Sequence, residues 1–366
     1  MRPTSASTPC GRPPMSPETA TATVAPAAPA RPAGLRVATI GAACHALPAT
    51  VLGTDEIAAR LGVEGDWLVS RTGIRSRRVL AEGELLTDLC EAAARGSLAR
   101  AGLAAADVDL VLVCTITPDQ RCPALAPLLA DRLGASGAFA MDVGAACTGY
   151  LAGLTVAAAQ IETGRARTVL LVGADAIRTR LVDPDDRATA GLFGDGAAAT
   201  VLRAADPDPG GGPAGVGPVL LGADGAGAPH IHAGVDTPLH MDGHETFRTA
   251  ITRLSDMALQ ACAAAGVTLQ DIDLVVMHQA NQRITAAVGR RLGIADDRVV
   301  DCIEHVGNLS GGSIPVALSL AADEGRLPDG ALVLLAAFGA GFTWGGSVVR
   351  WGLPTADPTT ALQEPA

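Results

Sequence analysis

The sequence predicts an α/β fold made of two copies of one structural unit, and three observations carry that expectation. First, AGLAAADVDLVLV at 101–113 returns as AGVTLQDIDLVVM at 265–277, so the second copy begins 164 residues after the first. Second, each copy leads into a further strand, a turn of very small residues and an Ala-rich helix. These segments are FAMDVGAACTGYLAGLTVAAAQIETG in the first half and VVDCIEHVGNLSGGSIPVALSLAADEG in the second; the pair ARTVLLVGADAI and GALVLLAAFGAG follows in the same order. Third, the Val/Leu strands are continuous apolar runs rather than alternating ones. That is the pattern of mostly parallel strands covered by helices on both faces. Two such halves imply packing about a pseudo-twofold axis, with matching strand ends meeting at one central site.

Along the chain, residues 1–34 are Pro, Ala, Thr and Ser with a few arginines. They bury too little apolar surface to offset the entropy of ordering and are expected to be disordered, and they lack the apolar run of a secretory signal. The first half spans 35–205. A Gly/Pro stretch at 206–218, DPDPGGGPAGVGP, reads as a flexible connector, the second half spans 219–353, and 354–366 is a loose tail. The 366 residues are 48% hydrophobic but only 2% aromatic, so the core must be built from Ala, Val, Leu and Ile. A net charge of −11 argues against nucleic-acid binding. No apolar run is long enough to indicate a membrane span. Eight cysteines (Cys10, Cys44, Cys90, Cys114, Cys122, Cys147, Cys262 and Cys302) are scattered with no CxxC spacing. They read as reduced thiols of a cytoplasmic protein, most of them buried as small hydrophobes.

One cysteine stands apart. Cys147 lies where an apolar strand ends in GAACTG, ahead of an Ala/Leu-rich helix. Taken alone, a cysteine among alanines is more often core packing. The duplication changes its company. In the second half the strand LVVM runs into HQAN, placing His278 at its C-terminal end, and the next strand leads to HVGNLSGG, placing Asn308 at the matching turn. An offset of 163 takes Cys147 to Ser310, two residues from Asn308. Open α/β sheets place their sites at such strand ends. A thiol at a helix N-terminus is expected to lean towards thiolate. The neighbouring Gly144, Ala145, Ala146 and Gly149 leave room for backbone amides to approach a carbonyl. A neutral imidazole and an amide can both donate hydrogen bonds to a developing enolate oxygen. HIH at 230–232 offers two histidines with no evident third ligand, so no metal is expected.

Five motifs now carry a resemblance, in the right order and with compatible spacing along roughly 35–352: DVGAACTGY, FGDGAAATVL, MHQANQRI, GNLSGGSIP and FGAGFTWG. The chain resembles β-ketoacyl-acyl-carrier-protein synthase III, within the thiolase-fold condensing enzymes. The resemblance implies a thiolase-like, layered α-β-α-β-α architecture of two βαβαβ-type halves. It implies that Cys147 accepts an acyl group from acyl-coenzyme A. Malonyl-acyl carrier protein then loses carbon dioxide, and His278 and Asn308 hold the resulting enolate as it attacks the acyl-cysteine. The backbone N–H groups of Cys147 and Ala340 would form the oxyanion hole, Ala340 standing where the family often has Gly. Phe338 would lie against the site. Trp67, Arg71 and Arg187 would hold the nucleotide of coenzyme A, and Asn281 and His244 would border the pantetheine tunnel. Cys122 would reach across a homodimer interface to close the partner's acyl pocket. No cofactor is implied beyond the coenzyme A thioester itself as substrate.

Around these positions the residues retain plainer readings. Arg75, Arg77 and Arg78 fit a solvated basic loop, which is expected for at least two of them. In NQRITAAVGRRLG, Ile284, Val288 and Leu292 share one helical face. Arg283 and Arg290 fall about 20° apart on another, at about 100° per residue. With Arg248 and Arg291 they form either an ordinary solvated surface or, by the resemblance, a dock for the acidic carrier protein. An alternative activity passes the acyl group from the cysteine to a hydroxyl or amine of a small molecule. The intact Cys–His–Asn set favours condensation and argues against an inactive subunit. A cysteine hydrolase lacks support, because AACTG misses the first glycine of a nucleophile elbow.

Overall fold

Successive side chains of the strand Leu110–Cys114 enter two different cores. Leu110, Leu112 and Cys114 join one and Val111 and Val113 the other, so the strand is buried on both faces. The strand Leu274–Met277 repeats the pattern, with Leu274 and Val276 sharing the first core and Val275 and Met277 entering a third. This is why the apolar runs do not alternate with polar residues. The computed structural model describes residues 36–206 and 215–353. The leader at 1–34, residues 207–214 of the connector and the tail at 354–366 lie outside the described residues, as does Cys10.

The first sheet has five strands in the order Val37–Ala46, Asp195–Ala205, Thr168–Ala176, Leu110–Cys114 and Phe139–Val143. The last three are mutually parallel, and Asp195–Ala205 runs antiparallel to both its neighbours. The second sheet has four: Leu274–Met277, Leu332–Gly339, Thr343–Arg350 and Leu220–Ala223. The core shared by both sheets encloses the helices Gly149–Glu162 and Ser313–Asp323. The helices Leu86–Ala101 and Leu125–Leu133 cover the outer face of the first sheet, and Gly243–Ala264 and Gln282–Leu292 that of the second. The layers therefore run α-β-α-β-α.

The duplication is geometric as well as sequential. The turns Ala146–Thr148 and Ser310–Gly312, the two central helices and the strands that begin at Thr168 and Leu332 all start 164 residues apart. Ser310 therefore answers to Ala146, not to Cys147, and both adopt left-handed backbone, with φ of 48° and 45°. Gly311 answers to Cys147. The one-residue difference from the expected pairing arises because the sequence offers no landmark inside two runs of small residues.

Three local expectations differ from the structure. The expected strand at VVDC in the second half is a single parallel bridge, Val275 to Val299, followed by the short helix Ile303–Val306. The Gln279 amide substitutes for the ladder. It donates to Met277 O and Val300 O and accepts from Cys302 N–H. Part of the connector is held, because Val216 N–H donates to Ala38 O at 2.7 Å and Gly217 N–H to Val348 O at 2.9 Å. Finally, Arg77 is wholly buried rather than solvated. Its guanidinium donates to Leu52 O, Thr54 Oγ1 and Gly191 O, and burial lowers its proton affinity to about 10. Arg75 does lie at the surface, paired with Glu304 at 2.9 Å, while the half-buried Arg78 donates to Pro48 O.

The two halves touch closely where Gly173, inside the strand Thr168–Ala176, faces the turn Ser310–Gly312. A Cβ at 173 would lie 2.5 Å from Gly311 O and 2.8 Å from Pro315 Cγ. The Gly173→Ala variant is therefore expected to lose about 1–3 kcal/mol of stability, read as a lower urea midpoint; an unchanged midpoint would contradict this packing.

Candidate active site

Cys147 sits in the turn Ala146–Thr148, immediately before the helix Gly149–Glu162. It retains some accessible surface at the floor of a pocket of about 310 Å³. Gly339, at the end of a second-sheet strand, lets the turn approach: a Cβ there would fall 2.7 Å from Cys147 Cβ. The expectation of a ready thiolate is not met. Burial pushes the thiol up to about 12, opposed by the Ser310 hydroxyl and by the backbone N–H groups of Cys147 and Ala340. The resting sulfur is a thiol that donates to Ser310 Oγ at 3.7 Å.

Both amides lie close enough to the sulfur to favour its ionised form. The alanine at 340 causes no strain, because the positive φ in this turn falls on Gly341 (139°). Thr343 Oγ1 donates to Ala340 O, and Thr148 Oγ1 donates to Thr343 Oγ1, both at 2.9 Å. Thr148, the residue after Cys147, thus ties its turn to the loop carrying the Ala340 amide. Neither threonine is singled out by the motifs.

His278 and Asn308 line the same pocket as Cys147. His278 is held at its strand end by its N–H to Ala336 O, at 2.8 Å. Its ring is buried, and among the described residues Nδ1 has no partner. Desolvation lowers its pKa to about 4, so the ring is neutral near pH 7. Asn308 is clamped on both sides by the segment that follows Gly191. Its N–H donates to Leu192 O and its carbonyl accepts from Gly194 N–H, at 2.9 and 3.1 Å. Its Oδ1 accepts from Ser310 N–H at 2.8 Å. The amide is thereby oriented with its NH₂ group as the donor left for a ligand.

Trp67, Arg71, Arg187, Asn281 and Phe338 also line this pocket. The Arg71 guanidinium lies 4.3 Å over the exposed Trp67 ring. Asn281 has two tasks. Its Oδ1 caps the helix Gln282–Leu292, and its Nδ2 donates to Arg71 O at 3.0 Å, joining the two halves at the pocket mouth. Arg187 donates to Leu61 O. Phe338 packs on Phe342, with ring centroids 4.9 Å apart. His244, by contrast, is exposed at the start of the helix Gly243–Ala264 and is not among the lining residues. Cys122 is exposed on the loop after Leu110–Cys114, also away from the lining. Arg283, Arg290 and Arg291 are exposed on one helix. Arg283 lies 5.3 Å over Phe247 and Arg248 pairs with Glu245 at 2.8 Å. Among the described residues, no group of three or more His, Cys, Asp and Glu is arranged to hold a metal. No helix there is long and apolar enough to cross a membrane.

The fold and pocket define a duplicated α/β protein in which Cys147 of one half shares a pocket with His278 and Asn308 of the other. The family model for 3-oxoacyl-[acyl-carrier-protein] synthase III matches residues 141–225, and that for its C-terminal region matches 262–351. A β-ketoacyl-[acyl-carrier-protein] synthase III from Rhodospirillum centenum is 42% identical over 324 residues, covering 87% of this chain and 99% of the relative. Another from Streptomyces coelicolor, designated synthase III 2, is 44% identical over 306 residues, covering 83% and 91%. The crystal structure of 3-oxoacyl-(acyl carrier protein) synthase III from Pseudomonas aeruginosa aligns with a TM-score of 0.81 at 40% identity, covering 87% of this chain and 100% of that one. A priming β-ketosynthase from a polyketide biosynthetic pathway aligns with a TM-score of 0.82 at 33% identity, covering 88% and 98%. This chain belongs to the β-ketoacyl-acyl-carrier-protein synthase III family.

The neutral His278 has a measurable consequence. Above pH 6.5 the ring is uncharged in both the folded and the unfolded chain. Between pH 6.5 and about 4 the unfolded chain binds a proton that the folded one refuses, so stability falls as the pH drops. The full loss is on the order of 3 kcal/mol. Urea titrations across that window should show a shallower decline for His278→Gln than for the native protein; parallel declines would refute the burial of a neutral ring.

Proposed function

We propose that this chain is a starter-unit condensing enzyme that joins an acyl group from acyl-coenzyme A to malonyl-acyl carrier protein. The observation that carries the reading is the shared pocket of Cys147, His278 and Asn308, in which the amide of Asn308 is already oriented as a donor. Coenzyme A lies along the pocket with its nucleotide at Trp67, Arg71 and Arg187. Cys147 attacks the thioester carbonyl, and the N–H groups of Cys147 and Ala340 hold the oxyanion. Coenzyme A leaves as its thiolate and takes up a proton. The carrier-bound malonyl group then enters. As carbon dioxide departs, the enolate oxygen receives hydrogen bonds from His278 and Asn308. Its carbon attacks the acyl-cysteine and releases the Cys147 thiolate, which is reprotonated. Burial of Phe338 against the site gives the malonyl carboxylate an apolar neighbour, which favours its loss as neutral carbon dioxide. The chemistry needs no cofactor.

The exposed arginines at 248, 283, 290 and 291 supply a basic surface for the acidic carrier on a chain that is acidic overall. The strand Phe139–Val143 closes the first sheet with a free edge, and Phe139 is 66% exposed. Both features suit pairing with a second copy in a cytoplasmic homodimer. There Cys122, exposed in the single chain, would close the partner's acyl pocket and leave room for starters larger than acetyl.

Two experiments test this reading. Intact-mass analysis with acyl-coenzyme A should show one acyl group on the native protein and none on Cys147→Ala. His278→Ala and Asn308→Asp should still acylate but form 3-ketoacyl carrier protein about 100- to 1,000-fold more slowly. A native acyl-enzyme that never condenses with malonyl-carrier protein would instead point to transfer onto a hydroxyl or amine. Acylation rates from acetyl-, isobutyryl- and hexanoyl-coenzyme A test the starter pocket, and a strict preference for acetyl would rule out the role given to Cys122.

A further inference from the structure

Two threonines outside that scheme join the halves beside Cys147. Thr148 is the next residue along the chain and is buried, at 3% exposure. Thr343 opens the strand Thr343–Arg350 and is paired in register with Gly339. Gly339 is packed so closely on the nucleophile turn that a Cβ there would fall 3.3 Å from Cys147 N. The two hydroxyls lie in a row of four oxygens: Ala145 O, Thr148 Oγ1, Thr343 Oγ1 and Ala340 O. The successive gaps are 2.8, 2.9 and 2.9 Å. Two hydroxyl protons serve these three gaps. Ala145 O already accepts from Thr148 N–H at 3.1 Å, so the protons are better used in the other two. Thr148 then donates to Thr343, and Thr343 to Ala340 O. The scaffold does not demand this row. Thr148 is answered 164 residues on by Gly312, and that half closes its matching turn with no side chain there. A buried hydroxyl that the duplicated copy does without points to a task at the site.

We infer that Thr148 and Thr343 are positioning residues for acylation: their hydroxyl pair sets the spacing between the N–H groups of Cys147 and Ala340, so that both reach one carbonyl oxygen. One amide belongs to the residue before Thr148, and the other to the residue whose carbonyl Thr343 holds. The two come from different halves. Apolar packing between halves is non-directional, whereas consecutive hydrogen bonds fix distance and angle. That precision matters, because both donors must lie about 3 Å from the developing oxyanion. A misplacement of about 1 Å can cost about 100-fold in rate. Neither threonine bonds to the substrate, and no proton leaves the pair. Their effect is confined to steps in which a carbonyl becomes tetrahedral. Their loss therefore slows acyl transfer to the cysteine and spares reaction of the same sulfur at a saturated carbon.

This inference rests on Cys147 being the acyl acceptor with the two amides as its oxyanion hole, and the test separates the two. Thr148→Val and Thr343→Val keep the side-chain shape and remove the hydroxyl; Thr148→Ser and Thr343→Ser keep the hydroxyl. Each variant is followed by rapid-quench intact mass with three probes. Acyl-coenzyme A is the first. The second is p-nitrophenyl acetate, a carbonyl donor that needs no coenzyme A recognition. The third is iodoacetamide, whose reaction forms no oxyanion. Either valine should lower the maximal acylation rate about 10- to 100-fold at an unchanged half-saturating concentration, slow p-nitrophenyl acetate equally, and leave alkylation within about twofold of native. The double valine variant should be no slower than the slower single one, because two links of one row fail together. Serine should keep most of the native rate. Native acylation rates in either valine variant would overturn the inference. So would equal falls in acylation and alkylation, which would reduce the pair to packing around the cysteine. If the native protein takes acetyl from p-nitrophenyl acetate but no acyl group from acyl-coenzyme A, the starter-unit reading fails, while the p-nitrophenyl acetate rates still judge the threonines. If it is alkylated but takes an acyl group from neither donor, it has no working oxyanion hole and both fall.

Discussion

The architecture turns on one close approach: the turn Ser310–Gly312 pressed against the end of the strand Thr168–Ala176. Gly173 leaves the space and the buried Asp175 carboxyl accepts from Gly311 N–H at 2.9 Å, so the second half's turn is fixed to the first half's sheet. Asn308 precedes that turn and Cys147 touches it, so both inherit their positions from the same contact. Neither half contains the site. A protein interior this dense transmits small displacements instead of absorbing them, so the inter-half contact and the chemistry cannot be adjusted separately.

The site spends polar groups sparingly. The pocket is lined mainly by apolar side chains. Asn308 gives its oxygen to its own turn, and His278 stays uncharged because its ring is cut off from water. Water exclusion also keeps the sulfur a thiol. The same desolvation that makes hydrogen bonds to a developing oxyanion strong makes a resting thiolate costly. Helix N-termini favour thiolates in partly open settings, but here burial outweighs that effect.

Much of this was legible in the sequence because duplication prints everything twice. The repeated strands, the small-residue turns and the three residues facing the pocket follow from spacing, and an ordinary single-copy chain would have hidden them. What the sequence concealed is informative. Asp175 lies within VGADAI, where an acid at a strand end reads as a solvated terminus. Its burial depends on a turn 136 residues away. Arg77 looks like its neighbours Arg75 and Arg78, and only the tertiary fold decides which of the three is enclosed. The strand at VVDC gives way because a glutamine side chain satisfies the groups that a ladder would have paired, a substitution that apolar patterning cannot reveal. The proposed carrier and nucleotide contacts would form on surfaces, where residue type alone says little.

Arg77 carries one last implication. It lies directly behind the pocket wall, bound to Gly191 O, and every acceptor it uses is neutral. The arginines at the mouth are bathed in solvent, so their pull on an anionic ligand fades as salt is added. A guanidinium sealed from water has no such ionic atmosphere around it. Its charge is therefore far less sensitive to added salt than theirs. The chain therefore has two electrostatic ranges: an outer field that the medium can tune, and an inner polarity set by the fold.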